Sequence, residues 1–417
     1  MKALIFYVSV IFLFIGCAGK TSTTTDIDEV SNIIDISAGL KNIQTIKLSE
    51  IADSVTFIPF ETNSLSIQGQ GQKSIKFSSN YIFYYNKYFD WNGKYLGAIG
   101  RRGNGPFEEP EGVYNLLFTD NHFYSKGSKF IEYDISGKPT GKLRYLYAAR
   151  EFKSDDFLRN GAGFSTVGEH FAIYSYPTDV YFFNKNFETI SHRRVIEVDS
   201  VKPVYLNIGD SRCITYYKDH ILFYSFINDT IFYVTNTDLK PKWIVSFDDP
   251  SRLSKEFILN SQELFREVSI ALRGGLQSLE NTEFIQLTDN KHKVIAVYET
   301  ESYLFFKMTE IIQFSEPRGK LPAKPYIVYY DKRTGKTVRV KGSGFTDDLL
   351  GMEYFYPQLD IFDEKMITYI WPFELLDYID ECQAKGCEVN PQLIALSKKI
   401  DREDNPVLIL VHLKSNI

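Results

Sequence analysis

Histidines, neighbouring acids and a pair of arginines are the residues of this 417-residue chain whose types and spacing suit chemistry. His122, His170 and His220 each open an aromatic, strand-like run and follow Asn121, Glu169 and Asp219. A rim of imidazoles would suit a metal or a proton relay. Equivalent positions of successive repeats lie too far apart to share one ion, however, so these histidines read as polar turn residues and no metal site is expected. The pairs Glu108-Glu109, Asp155-Asp156, Asp248-Asp249 and Asp347-Asp348 offer the two carboxylates of a glycosidase. Adjacent side chains on a strand point to opposite faces, so each pair reads as a solvated turn. Gly342-Ser-Gly-Phe345 lacks the spacing of a nucleophile elbow. Gly100-x-x-Gly103-x-Gly105 has no strand-helix-strand setting for a dinucleotide. No catalytic residue and no cofactor is therefore expected. Arg101, Arg102 and Asn104 remain as ligand-binding candidates, since two guanidinium groups can clamp a carboxylate or an anionic sugar. The alternative is that they pair with Glu108, Glu109 and Glu111 and only fix the loop.

That loop, residues 97–113, holds five glycines and two prolines between two strand-like runs. It has to be a tightly specified connection, because glycine supplies backbone angles that other residues avoid. Around it a unit recurs. Tyr81-Ile-Phe-Tyr-Tyr85 precedes Tyr88-Phe-Asp-Trp-Asn-Gly-Lys94, and His122-Phe-Tyr124 precedes Phe130-Ile-Glu-Tyr-Asp-Ile-Ser-Gly137. Further pairs begin near 170, 220, 303 and 365, each an aromatic strand, a gap, a second strand and a turn rich in Asn, Asp and Gly. With 28 Tyr and 33 Phe the composition favours strands. A unit repeating at roughly 50 residues marks blades around a central channel. The spacing predicts an all-β, six-bladed propeller of residues 43–417 as one domain. The strand at 55–60 and the apolar run 405–414 are expected to close the same blade, because an unpaired edge invites aggregation. Apolar spacings at 251–281 predict a small helical insertion, and a second helical insert is expected over 372–379 and 391–400.

At the N-terminus, Lys2, an apolar run at 3–15 and then Gly16-Cys17 form a secretory signal, and the apolar run is short for a membrane span. Phe14-Ile-Gly-Cys17 resembles the lipobox of bacterial lipoproteins, which implies a signal peptide of 1–16 and lipidation of Cys17. The polar stretch after Cys17 reads as a flexible tether over 17–42. In an oxidising compartment Cys382 and Cys387, four residues apart, read as a loop disulfide, and one such pair is weak for zinc. Cys213 reads as a small core residue. The net charge of -6 has no basic cluster, which argues against nucleic acid.

Gly100-Arg-Arg-Gly-Asn-Gly-Pro-Phe-Glu-Glu-Pro-Glu-Gly-Val113 is similar to the glycine-rich connection of NHL-type propellers, with Phe107-Glu108 in place of Gly-Glu-Phe. Together with the lipobox, the opening Leu48-Ser-Glu-Ile-Ala-Asp-Ser-Val55 and the closing Asn405-Pro-Val-Leu-Ile-Leu410, it resembles the six-bladed propeller lipoproteins of Gram-negative envelopes. That resemblance implies a location in the cell envelope, lipid-anchored at the outer membrane, and carries no catalytic residues. The expected function is non-enzymatic: binding of a carbohydrate, peptide or protein partner at one face, with Trp91, Trp243 and Trp371 available to stack on a ligand. The rivals are an envelope hydrolase or lyase acting on glycans or lactones, and a scaffold in a multiprotein envelope complex.

Overall fold

The computed structural model describes residues 32–415 except 68–74, 110–115, 120, 127–129, 145–163, 168–169, 176–178, 187, 196–213, 219, 226–227, 249–290, 311–324, 343 and 359. The signal peptide, Cys17, Cys213 and the helical insertion expected at 251–281 lie outside the described residues.

Three strands and two short helices come before the first blade: β1 (Ile33–Asp35), α1 (Ile36–Lys41), β2 (Ile43–Gln44), α2 (Leu48–Ile51) and β3 (Ala52–Pro59). Blade one is β4 (Ile75–Phe77), β5 (Ile82–Tyr84), β6 (Lys87–Phe89) and β7 (Tyr95–Ala98). A two-stranded parallel piece follows, β8 (Arg101–Arg102) with β9 (Glu108–Glu109). Blade two is β10 (Leu116–Phe118), β11 (His122–Lys126), β12 (Phe130–Asp134) and β13 (Pro139–Arg144). Blade three is β14 (Phe164–Val167), β15 (His170–Ser175), β16 (Asp179–Phe183) and β17 (Thr189–Arg194). Blade four holds β18 (Ile214–Tyr217), β19 (His220–Tyr224), β20 (Thr230–Val234) and β21 (Leu239–Ser246). Blade five holds β22 (His292–Glu299), β23 (Tyr303–Glu310), β24 (Tyr326–Asp331) and β25 (Lys336–Val340). After the small pair β26 (Phe345–Thr346) and β27 (Tyr354–Phe355), blade six is built from β28 (Asp360–Phe362), β29 (Lys365–Ile370) and β30 (Val407–Leu413), with β3 as its fourth strand.

The chain therefore folds as the six-bladed β-propeller that its repeats predict, and the ring closes as expected. β3 pairs antiparallel with β30, from Ala52 opposite Leu413 to Pro59 opposite Val407. The recurring aromatic run in the sequence is the second strand of each blade, and the run after it is the third. The innermost strands β10 and β14, β18 and β22, and β22 and β28 are neighbours, so the first strand of each blade faces the channel.

Residues 33–42, expected in a tether, instead form ordered structure on the outer edges of two blades. β1 adds to β21 in parallel, with Ile34 opposite Val245, and β2 adds to β25, with Ile43 opposite Arg339. Ile34 and Ile36 are fully buried, and Asp35 caps α1 by accepting the Ala38 N–H at 2.9 Å. The composition of 17–31 is polar, but Ile33, Ile34 and Ile36 bring enough apolar surface to bind a sheet edge. This belt satisfies two outer strand edges that would otherwise stay open.

A shared turn repeats around the ring. In Asp90-Trp-Asn-Gly93 the Asp90 Oδ1 accepts the N–H groups of Asn92 and Lys94, each at 2.9 Å. In Asp134-Ile-Ser-Gly137 the Asp134 Oδ1 accepts those of Ser136 and Lys138, at 2.9 and 3.0 Å. Both glycines have positive φ, 85° and 77°, and both lie against the backbone of the preceding blade's outer strand. A Cβ at Gly137 would stand 2.3 Å from the Ala98 carbonyl oxygen. Gly137→Ala is expected to cost at least about 1–2 kcal/mol from the left-handed backbone alone. Denaturant melts of the variant check this, and an unchanged midpoint would refute the account of this turn.

The helical insert expected at 372–379 and 391–400 is present as α3 (Pro372–Ala384) and α4 (Pro391–Ser397). Both begin with proline at the first helical position, where its missing N–H costs nothing. Leu375, Ile379, Leu393 and Leu396 bury against the core shared with blades five and six. Cys382 and Cys387 are free thiols rather than the expected bridge. The turn between them is closed by the backbone, with the Cys387 N–H donating to the Cys382 carbonyl at 2.8 Å. A hydrogen bond with Cys387, together with burial, raises the Cys382 pKa.

Candidate functional site

Successive strands in a blade alternate direction, so the turns between first and second strands gather at one mouth of the channel. The strand β18 to β19 turn carries Lys218, and the β28 to β29 turn carries Asp363 and Glu364. All three have positive φ, 51°, 46° and 59°, although none is glycine. Two-residue hairpin turns of this kind normally hold Asn-Gly, because side chains disfavour the left-handed region. Charged residues kept in that conformation point to a use for their side chains.

A cavity of about 830 Å³ opens at this mouth and runs outward between blades six and one. Blade one supplies Trp91 and Ser79, and blade six supplies Phe362, Asp363 and Lys365. Phe57 on β3 forms part of the wall, and Tyr216 and Lys218 reach in from blade four. Trp91 and Phe362 are nearly parallel, with centroids 6.0 Å apart at 10°, and Phe77 stacks beside Trp91 at 5.9 Å. The indole N–H of Trp91 is fixed by the carbonyls of Ser78 and Ser79, both at 3.1 Å, which orients the ring. Lys365 Nζ is held by its own turn, at 2.7 Å from the Asp363 carboxylate and 2.9 Å from its carbonyl. Lys218 Nζ lies 3.8 Å from Glu301 and 5.4 Å from the Tyr217 ring centroid. The size suits a small ligand, and the mix of apolar walls with a few placed polar groups is typical of binding sites.

Beside the cavity lies a polar network between blades four, five and six. Glu364 accepts the Glu301 N–H through both carboxylate oxygens, at 2.9 and 3.1 Å. Burial raises the Glu364 pKa above its ordinary 4.5, against the lowering effect of that hydrogen bond and of Lys218. Because the folded state holds this proton more tightly than the unfolded chain, its stabilising effect is present below the ordinary value and is lost as pH rises through the raised one. Glu364→Gln is expected to remove that fall in stability above pH 4.5, read as melting temperature against pH. A profile of unaltered slope would refute the assignment.

Deeper in, the Glu299 side chain is 2% exposed and meets Lys332 Nζ at 2.7 Å. Tyr233 donates to Glu299 at 3.1 Å, and Lys332 also donates to the Thr300 carbonyl at 2.6 Å. The ammonium sits 5.2 and 5.6 Å from the Tyr217 and Trp243 ring centroids. This cluster fastens blade four to blade five under the mouth of the cavity.

The residues singled out in the sequence fall mostly elsewhere. Arg101, Arg102 and Asn104 are exposed on the blade-one to blade-two connection, at the opposite end of the inner strands, and do not line the cavity. Arg101 faces Glu108 and Arg102 faces Glu109 in the β8–β9 ladder. The Glu108 carboxylate accepts the Gly105 N–H at 2.9 Å, while buried Glu109 accepts from Ser125 at 3.2 Å. His122 lies 3.8 Å from Glu132 and His220 stacks on Tyr233 at 4.6 Å, so each engages its own blade. Asp347 is buried and accepts the N–H groups of Leu349 and Leu350, and Asp348 accepts from Ser49, so that acidic pair is structural. Of the three tryptophans, Trp91 lines the cavity. Lys218, Asp363 and Lys365 were missed. Their signal was present: two-residue turns between aromatic strands with charges where Asn-Gly is usual.

Among the described residues no group of three or more His, Cys, Asp or Glu side chains is disposed to hold a metal ion. No helix among them is long and apolar enough to cross a membrane.

A family profile described as Domain of unknown function (DUF4934) matches residues 31–412. A presumptive exported protein of Bacteroides fragilis has a similar solved structure, with TM-score 0.62 and 17% identity over 92% of this chain and 99% of that one. BamB from Moraxella catarrhalis is a more distant match, with TM-score 0.29 and 11% identity over 69% of this chain and 66% of that one. No curated protein matches the chain.

Proposed function

This chain belongs to the DUF4934 family, whose description names no function, and from that starting point we propose that it is a non-enzymatic envelope protein that binds a carbohydrate at one mouth of its propeller. The observation that carries this reading is the cavity of about 830 Å³ with its stacked Trp91–Phe362 pair beside Lys218, Asp363, Lys365 and Ser79. Sugars present one apolar ring face and a rim of hydroxyls, which an aromatic platform with polar neighbours matches.

The same reading places the protein at the envelope through a lipid on Cys17. It is supported by the apolar run at 3–15 before Gly16-Cys17 and by the exported description of the similar B. fragilis protein. Cys17→Ser is expected to move the protein from the membrane fraction to the soluble one; retention in the membrane would count against the anchor.

The binding claim is tested on an array that carries envelope glycans and peptides side by side. Retention of glycans that Trp91→Ala abolishes is the expected outcome. An array with no glycan binder, alongside recovery of one stable protein partner, would overturn it in favour of a scaffold.

A further inference from the structure

We infer that the sugar carries an anionic group and that Lys218 receives it; the inference rests on the cavity being the ligand site proposed above. The charges among the lining residues are two ammonium groups, Lys218 and Lys365, against one carboxylate, Asp363. Those two cations differ in how they are engaged. Lys365 is held by both oxygens of its own turn at 2.7 and 2.9 Å and stays largely covered, 24% exposed. Lys218 is engaged by a longer 3.8 Å pairing with Glu301 and by the neighbouring Tyr217, whose ring centroid lies 5.4 Å away, and its side chain is 53% exposed. The Glu364 carboxylate, on the blade-six turn, directs both oxygens to the Glu301 N–H. Of the two cations, Lys218 is the more exposed and the less tightly held, and with three N–H donors on its ammonium it keeps donor capacity for a ligand.

Its placement is costly. A lysine at φ 51° pays the left-handed penalty that Asn or Gly would reduce, and it lines the same cavity as the Trp91–Phe362 platform. A pyranose seated on that platform leaves its ring substituents facing blade four, where Lys218 stands. A ring carboxylate or sulfate there gains a charge-assisted hydrogen bond, whereas a neutral hydroxyl gains an ordinary one of about half the strength. The Asp363–Lys365 pair, satisfied within itself, is left to bond the hydroxyls.

Isothermal titration of the folded protein separates the possibilities, using three oligosaccharide sets of equal length: uronate-containing, sulfated, and neutral. The acidic sets, in either or both forms, are expected to bind at least about tenfold more tightly than the neutral set, with affinity that falls as salt rises. Lys218→Met is expected to reduce acidic binding to the neutral level, and Lys218→Arg to retain the preference. A preference for sulfate alone, lost in Lys218→Met, supports the inference and identifies the anion. Equal affinity for acidic and neutral sets, both lost in Trp91→Ala, overturns it while leaving the carbohydrate site intact. Binding of none of the three sets overturns both. Lys218 is exposed, so the melting temperature of Lys218→Met serves as the check that the ring is unchanged.

Discussion

A chain that ends at Asp404 will fail to fold into a closed ring, giving aggregated protein without a cooperative melting transition. The missing strand β30 is the third of blade six and is hydrogen-bonded on both sides, to β29 and to β3. Its side chains at Val407, Ile409, Val411 and Leu413 belong to the largest apolar cluster, and those at Leu408 and Leu410 to the cluster shared with blade one. At about 1.5–3 kcal/mol for each buried aliphatic side chain, the loss is on the order of 10 kcal/mol. That is comparable with the whole stability of a typical domain, about 5–15 kcal/mol. The truncation also leaves β29 and β3 with open edges, which recruit other chains. Light scattering and circular dichroism melts read both effects. A soluble truncated chain with unchanged melting would refute closure by the two termini.

Lys332→Met is expected to destabilise the protein by about 3–5 kcal/mol, because it strands the Glu299 carboxylate in the gap between blades four and five. Glu299 would keep only the Tyr233 hydroxyl, since its 2.7 Å partner is gone. Removing the charge as well should recover much of the loss, so the double variant Glu299→Gln with Lys332→Met is expected to be more stable than Lys332→Met alone. Urea melts of wild type, both single variants and the double variant measure the coupling. Additive losses would show that the pair does not act as a unit. Weakening this fastening also loosens the turn that holds Lys218, because Glu301 and Thr300 follow directly after Glu299.

The strands that read most clearly in the sequence were the second and third of each blade. They are buried on both faces and so appear as unbroken aromatic or β-branched runs, as in Phe83-Tyr84 or Ile327-Val328. The innermost strands, such as Ile75–Phe77 and Leu116–Phe118, are only three residues long and give too short a pattern to separate from loops. The belt at 33–44 was hidden for a different reason. β1 and β2 pair in parallel with strands about 200 and 300 positions away, and nothing local records that partner.

The site was less legible than the ring. Residues 97–113 draw attention through glycine, but those glycines serve a tight connection: a Cβ at Gly103 would stand 2.1 Å from the Glu108 carboxylate. The cavity is instead assembled from short, separate pieces of blades one, four and six, brought together by closure. Trp91 was visible as a stacking residue, yet its partner Phe362 is 271 positions away and announces itself in no motif. Local sequence records turn chemistry and strand periodicity; it does not record which turns share a mouth.

The central claim is that ligand is bound at the mouth bearing Trp91 and not at the opposite end bearing Arg101 and Arg102. Glycan-array binding by wild type, Trp91→Ala and the double variant Arg101→Ala with Arg102→Ala tests it in one experiment, with circular dichroism confirming that each is folded. Loss of glycan binding in Trp91→Ala together with wild-type binding in the arginine variant is the predicted result. Binding that survives Trp91→Ala but disappears with the two arginines would contradict it.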